Sequence, residues 1–239
     1  MKIIVDSMEN CASLAADRYC ALLREKPKAV LGLATGSTPE ALYRELIRRC
    51  RAGEISFAQA TTFNLDEYVG LDGTHLQSYR YFMNSRLFDR VDIDIRRTNV
   101  PSGLNMTSEK AAQYDELIRQ AGGIDLQLLG IGPNGHIGFN EPGGPWDSVT
   151  HIADLAPATR QANSRFFESL EEVPTQAVSM GIKTVMNARH ILVMAFGEGK
   201  APAVAAMVKG RVDRQVPASI LQLHPDVTVF ADPAAAALI

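Results

Sequence analysis

Short, continuously apolar runs alternate with amphipathic stretches along most of this chain, and few folds accept that alternation. Residues 2–5, 29–34, 61–65, 124–129, 191–196 and 227–230 read as strands. Residues 7–25, 39–51, 76–88 and 107–121, and the stretch after Gly199, read as helices, with apolar side chains at three- and four-residue spacing. Strands that are apolar at every position must be covered on both faces, which parallel strands joined by crossover helices achieve. The expectation is therefore an α/β fold, a Rossmann-like open and mostly parallel sheet with helices on both faces. No repeat, low-complexity tract or linker divides residues 1–239, so a single domain is expected. The more polar stretch 154–175 reads either as a helical excursion over the sheet's edge or as an ordinary surface helix. Function in such sheets belongs to loops at the strands' carboxyl ends.

The most informative of those ends is the 124–142 segment. A buried strand breaks there into Gly130-Ile131-Gly132-Pro133-Asn134-Gly135-His136, followed by Ile137-Gly138-Phe139-Asn140-Glu141-Pro142. The spacing of Gly130, Gly132 and Gly135 satisfies a dinucleotide fingerprint on paper, with Asp154 about 20 residues on. That fingerprint needs a helix opening at its last glycine, and Pro142, Gly143, Gly144 and Pro145 forbid a helix here. The glycines read instead as clearance for a ligand, leaving His136 and Glu141 as candidates for proton chemistry and Asn134 as a neutral hydrogen-bonding partner. A metal site is disfavoured, because His136 and Glu141 lack one-turn spacing and no clear third ligand adjoins them.

Three further segments carry polar chemistry at strand ends. Thr35-Gly36-Ser37-Thr38-Pro39 reads either as a plain helix cap, with Ser37 and Glu40 at capping-box spacing, or as a cradle for a phosphate. In Asn64-Leu65-Asp66-Glu67-Tyr68, an extended chain sends adjacent carboxylates to opposite sides. One of them is then free to face a crevice as a base while the other stays in solvent; the alternative is a solvated turn. Arg165 and Lys200 are each ordinary surface charges in isolation, but with the 35–38 loop they suit a phosphate clamp.

A formal net charge of −3 argues against a broad nucleic-acid surface or an anionic membrane as partner, while leaving small anions open. No apolar run reaches the ~18 residues of a membrane span, and Asp6 and Glu9 interrupt any leader-like start, so a cytoplasmic location is expected. Cys11, Cys20 and Cys50 show no paired spacing and read as reduced thiols.

Together these segments closely resemble the glucosamine-6-phosphate deaminase family. The resemblance rests on Leu33-Ala34-Thr35-Gly36-Ser37-Thr38-Pro39, Asn64-Leu65-Asp66-Glu67-Tyr68-Val69-Gly70-Leu71 and Gly135-His136-Ile137-Gly138-Phe139-Asn140-Glu141-Pro142. Asn163-Ser164-Arg165-Phe166-Phe167 and Leu221-Gln222-Leu223-His224-Pro225 extend it in the same order. It implies conversion of glucosamine 6-phosphate and water to fructose 6-phosphate and ammonia without metal or organic cofactor, formally a hydrolase acting on an amino sugar phosphate. By that resemblance His136 opens the sugar ring, held by Glu141 and Asn134, and Asp66 moves a proton from carbon 2 to carbon 1. Thr35, Gly36, Ser37, Thr38, Arg165 and Lys200 match phosphate-holding positions, and 154–175 matches a mobile lid.

Two departures accompany the resemblance. Longer, allosteric members carry Asp where Asn134 stands, and they use cations after the Glu-Pro pair to bind an activating sugar phosphate. Residues 143–153 here contain no Arg or Lys, and the chain stops at Ile239. A monomer or small homo-oligomer without hexamer-dependent activation is therefore expected. The competing readings are a 6-phosphogluconolactonase-like hydrolase and a non-enzymatic sugar-phosphate sensor. The first family runs from its His into Ala-Ser-Leu-Phe, whereas Ile137-Gly138-Phe139 follows His136. The second loses catalytic groups that are present here as Asp66, His136 and Glu141.

Overall fold

The computed structural model describes residues 1–164 and 167–239. Its centre is a seven-stranded parallel sheet of β1 (Lys2–Val5), β2 (Val30–Leu33), β3 (Thr61–Asn64), β5 (Thr98–Asn99), β6 (Leu126–Gly130), β9 (His190–Ala195) and β10 (Val227–Ala231). The spatial order is β1-β10-β9-β6-β2-β3-β5. Every residue of β2 and β10 is buried, so these strands are covered on both faces, as their unbroken apolar character requires.

The helices follow from local sequence. In α1 (Met8–Glu25), Ser7 caps the first turn by accepting from the Asn10 N–H at 3.2 Å. Cys11, Ala15, Ala16, Tyr19, Cys20 and Leu23 form its buried stripe, packed beside α2 (Glu40–Arg51). Thr107 caps α4 (Ser108–Gln120) in the same way, accepting from the Lys110 N–H at 3.3 Å. The expected 76–88 helix is shorter: α3 spans Tyr79–Arg86, because Ser78 accepts from the Tyr81 N–H and sets the start there. A short 3₁₀ turn takes 88–90.

The connections create a crevice. From β2 the chain moves outward through β3 and β5, then returns to the opposite side of β2 as β6. Loops leaving the carboxyl ends of β2 and β6 therefore diverge, as at the switch point of any doubly wound sheet.

A second sheet goes beyond the sequence reading. It is antiparallel, ordered β4-β8-β7, from β4 (Asp66–Tyr68), β7 (His151–Asp154) and β8 (Gln176–Ser179). Between β7 and β8 the chain forms α5 (Pro157–Asn163) within the 154–175 excursion. After β8 come α6 (Ile182–Met186), and after β9, α7 (Ala201–Lys209).

Candidate active site

The crevice is a cleft of about 560 Å3. It is lined by the 34–38 loop after β2, Asp66 and Tyr68 of β4, the 130–138 turn after β6, Thr159 of α5 and Lys200. One cleft thus receives Thr35, Gly36, Ser37, Thr38, Asp66, Asn134, His136 and Lys200. Arg165 falls outside the described residues.

The 35–38 loop does not act as a cap. The N-cap of α2 is Pro39, with no side-chain cap hydrogen bond, and the Ser37 contribution is its carbonyl, which accepts from the Glu40 N–H at 3.3 Å. The capping-box expectation therefore fails, and the loop's hydroxyls line the cleft instead. Gly36 turns the chain at φ +91°, a conformation that strains any residue with a Cβ.

Asp66 and Glu67 are both buried, at 7% and 1% exposure, which corrects the expectation that one of them stays in solvent. The chain continues as a strand through them, so they do point apart. Glu67 turns into the protein, where its carboxylate accepts from the backbone N–H groups of Tyr68 (2.9 Å), Tyr79 (2.8 Å) and Arg80 (3.0 Å). It thereby holds the N-terminus of α3 against β4, with its negative charge at the positive end of the helix. Asp66 faces the cleft. Burial, and secondarily the neighbouring Glu67 charge, push its carboxyl up to about 8.

Across the cleft, the 130–138 turn is closed by the Gly132 N–H donating to the His136 carbonyl at 2.9 Å and the Gly135 N–H to the Gly132 carbonyl at 3.0 Å. The turn lays the imidazole directly over Gly132, where a Cβ would stand 2.3 Å from ring atoms. The Asn134 side-chain oxygen accepts from the His136 N–H at 3.2 Å, and its amide donates to Glu141 Oε2 at 2.8 Å. Glu141 Oε1 accepts from the Thr159 hydroxyl at 2.7 Å and lies 3.6 Å from His136 Nδ1. That last separation is an ion-pair distance rather than a hydrogen bond, and Nδ1 finds no other partner among the described residues. The nearby His136, then Thr159 and Asn134, hold the Glu141 carboxyl down at about 2 against the opposing effect of its partial burial.

Between the two sides stands an aromatic wall that sequence reasoning missed. Tyr79 lies parallel to Phe139, with centroids 6.3 Å apart and planes 4° off, and Tyr68 is 4.8 Å from Tyr79. These rings come from α3, the 137–140 turn and β4, so no sequence spacing announces them. Thr159 was missed for the same reason. No group of three or more His, Cys, Asp or Glu able to hold a metal ion occurs among the described residues. No helix of the described residues is long and apolar enough to cross a membrane.

Residues 5–230 match the profile of a family described as glucosamine-6-phosphate isomerases and 6-phosphogluconolactonases. A glucosamine-6-phosphate deaminase of Clostridium perfringens (strain 13) is 48% identical over 99% of this chain and 98% of its own. One from Rhodopirellula baltica is 52% identical over 99% and 94%. Among solved structures, one described as a monomeric glucosamine-6-phosphate deaminase superposes with a TM-score of 0.96 at 44% identity, covering all of both chains. A 6-phosphogluconolactonase from Trypanosoma cruzi shares the fold alone, with a TM-score of 0.78 at 18% identity over 99% of this chain and 96% of its own. By its near full-length likeness to relatives about half identical to it, this chain belongs to the glucosamine-6-phosphate deaminase family.

Proposed function

We propose that this chain is a glucosamine-6-phosphate deaminase, releasing fructose 6-phosphate and ammonia. The observation that carries the reading is the cleft itself: a buried carboxyl held up near 8 and His136, with Glu141 3.6 Å from its Nδ1, share it with a hydroxyl-rich loop and Lys200. A proton moves between neighbouring carbons under a base of raised basicity, and the phosphate supplies a handle away from the reacting atoms.

The steps follow from those positions. The substrate phosphate lies against Thr35, Gly36, Ser37 and Thr38, with Lys200 as a point charge, and the family resemblance assigns Arg165 as a fork. His136, oriented by Glu141 and by the Asn134 bridge between them, moves a proton from the carbon-1 hydroxyl to the ring oxygen as the bond from that oxygen to carbon 1 breaks, opening the pyranose to the aldehyde. In the open chain the ammonium at carbon 2 acidifies the adjoining C–H, and its positive charge in the cleft favours the carboxylate form of Asp66. Asp66 takes the carbon-2 proton as the electron pair forms a double bond between carbons 1 and 2, a proton passes from the ammonium to the carbon-1 oxygen, and Asp66 returns its proton to carbon 1 while the nitrogen lone pair forms the double bond at carbon 2. The product is an imine at carbon 2. Water adds there and ammonia leaves, so hydrolysis describes only the last step and the preceding steps are an isomerisation. The aromatic wall of Tyr68, Tyr79 and Phe139 shields this exchange from bulk water. The 154–175 segment, carrying α5 and Thr159, serves as the cover of the cleft within one domain.

Residues 143–153 offer no cation for an activating sugar phosphate, and the monomeric relative supports activity without a hexamer. A hyperbolic rate curve unaffected by N-acetylglucosamine 6-phosphate is expected, and a sigmoidal curve straightened by it would contradict this. A cytoplasmic location suits an enzyme of amino-sugar catabolism. The reading is tested by incubating the purified chain with glucosamine 6-phosphate in the presence of a chelator. Equal amounts of ammonia and fructose 6-phosphate are expected; substrate binding with no release of either would overturn it in favour of a sensor.

A further inference from the structure

Thr159 belongs to α5 in the excursion between β7 and β8, far in sequence from the turn that carries His136 and from the strand that carries Asp66. Its hydroxyl donates at 2.7 Å to Glu141 Oε1, the same oxygen that lies 3.6 Å from His136 Nδ1. The other oxygen, Oε2, accepts from the Asn134 amide at 2.8 Å. The carboxylate is thus pinned at both ends by neutral donors, one from its own turn and one from a separate helix. The His136 ring lies over Gly132, whose lack of a Cβ gives it that place, with its Nδ1 3.6 Å from Oε1.

We propose that Thr159 is a positioning residue for the His136–Glu141 pair, fixing Oε1 so that the imidazole keeps one anchored acceptor, and so tying the seating of α5 to ring opening. This rests on the deaminase reading. The physical logic is that a carboxylate held by a single donor swings about that bond, and a swing of about 1 Å at a group orienting a catalytic ring is enough to cost up to about a hundredfold in rate. Arg160 donates to the Leu170 and Val173 carbonyls, and the Leu155 N–H donates to the Thr175 carbonyl, which fastens the excursion to itself, while Leu155 and Phe167 pack against the Tyr68 and Phe139 rings of the cleft. Among the described residues, Thr159 supplies the hydrogen bond from α5 to the Glu141 carboxylate.

Three variants separate positioning from packing. Thr159→Val keeps the shape and removes the donor, Thr159→Ala removes donor and methyl together, and Thr159→Ser keeps the donor. For Val and Ala, kcat should fall about ten- to a hundredfold, with KM changed by no more than about twofold. Ser should restore most of kcat. Affinity for the open-chain 2-amino-2-deoxyhexitol 6-phosphate, which needs no ring opening, should be the same in all four proteins. Independently of turnover, the 13C resonance of the Glu141 carboxyl should titrate at higher pH in Val than in wild type, because a donor to the charged form is gone. The proposal is overturned if Val and Ala retain wild-type kcat and an unmoved Glu141 titration, or if Ser falls as far as Val. A wild-type chain that releases no product sinks the deaminase reading instead, and the Glu141 titration still decides the Thr159 contact.

Discussion

Asp66 lines the cleft and Glu141 stands behind the His136 ring that lines it, and the protein drives their carboxyl groups in opposite directions. Asp66 is buried, receives no hydrogen bond from a cation among the described residues, and sits beside the charged Glu67; its carboxyl rises to about 8. Glu141 is met by the Thr159 hydroxyl, the Asn134 amide and the His136 ring, and falls to about 2. The same functional group therefore becomes a base of raised strength on one side and a permanent anion on the other, through environment alone. That separation is what an aldose–ketose shift with ring opening demands, since one group must exchange a proton while the other only orients an imidazole.

The sharpest way to break this contrast is Asp66→Asn. Turnover should drop by about 10²–10⁴-fold while sugar-phosphate binding persists, as measured by steady-state rates and calorimetry. The same substitution should stabilise the protein. From the ordinary 3.8 to about 8, folded Asp66 keeps a proton that the unfolded chain has released, so stability falls as pH rises through that window. The full penalty is present above about 8. Thermal melts at pH 8 should show Asp66→Asn above wild type by on the order of a few kcal/mol, with the gap closing toward pH 4.

On the opposite side, Gly132→Ala inserts a Cβ that would collide with the imidazole 2.3 Å away. Displacement of the ring should lower kcat by about a hundredfold while KM barely moves, since the 35–38 loop is untouched. Glu141→Gln removes the anion but keeps the shape, and a smaller loss, about tenfold in kcat, is expected in steady-state assays. Glu141 also has a stability signature of opposite sign to Asp66. Its folded carboxyl lies below the ordinary 4.5, so its contribution is present above that value and is lost as pH falls toward 2.

The smallest effect should come from Glu67→Gln. Burial is the larger cause of the Asp66 shift and the Glu67 charge the lesser, so removing that charge should lower the Asp66 titration only part of the way from 8. A 13C titration of the Asp66 carboxyl measures this. Full collapse to an ordinary value would reverse the order of causes.

Much of this arrangement was legible beforehand, because the signals were local. Unbroken apolar strands announce the parallel sheet, and the prolines and glycines after Glu141 exclude a dinucleotide helix. The strand-end loops after β2 and β6 could be named, and they meet in one crevice because the sheet reverses its order there. What stayed hidden depended on distant pairing. Strands β7 and β8 are four residues each and mixed in polarity, and they exist because β7 pairs with β8 and β8 with β4. Without β8 beside it, Asp66-Glu67 reads as a solvated turn; with it, both carboxyls are buried. Glu67 looked like a surface charge because its partners, the N–H groups of Tyr79 and Arg80, begin a helix twelve residues away. Thr159 and the Tyr79–Phe139 stack are likewise products of tertiary approach, with no spacing in the chain to mark them.

The assignment of Asp66 as the group that carries the proton is tested most directly with glucosamine 6-phosphate deuterated at carbon 2. Wild-type protein should deliver part of the label to carbon 1 of fructose 6-phosphate, since one carboxyl takes and returns it. Asp66→Asn should bind the labelled substrate and move no label. Label transfer by Asp66→Asn at a rate near wild type would contradict the account and place the shuttle elsewhere in the cleft.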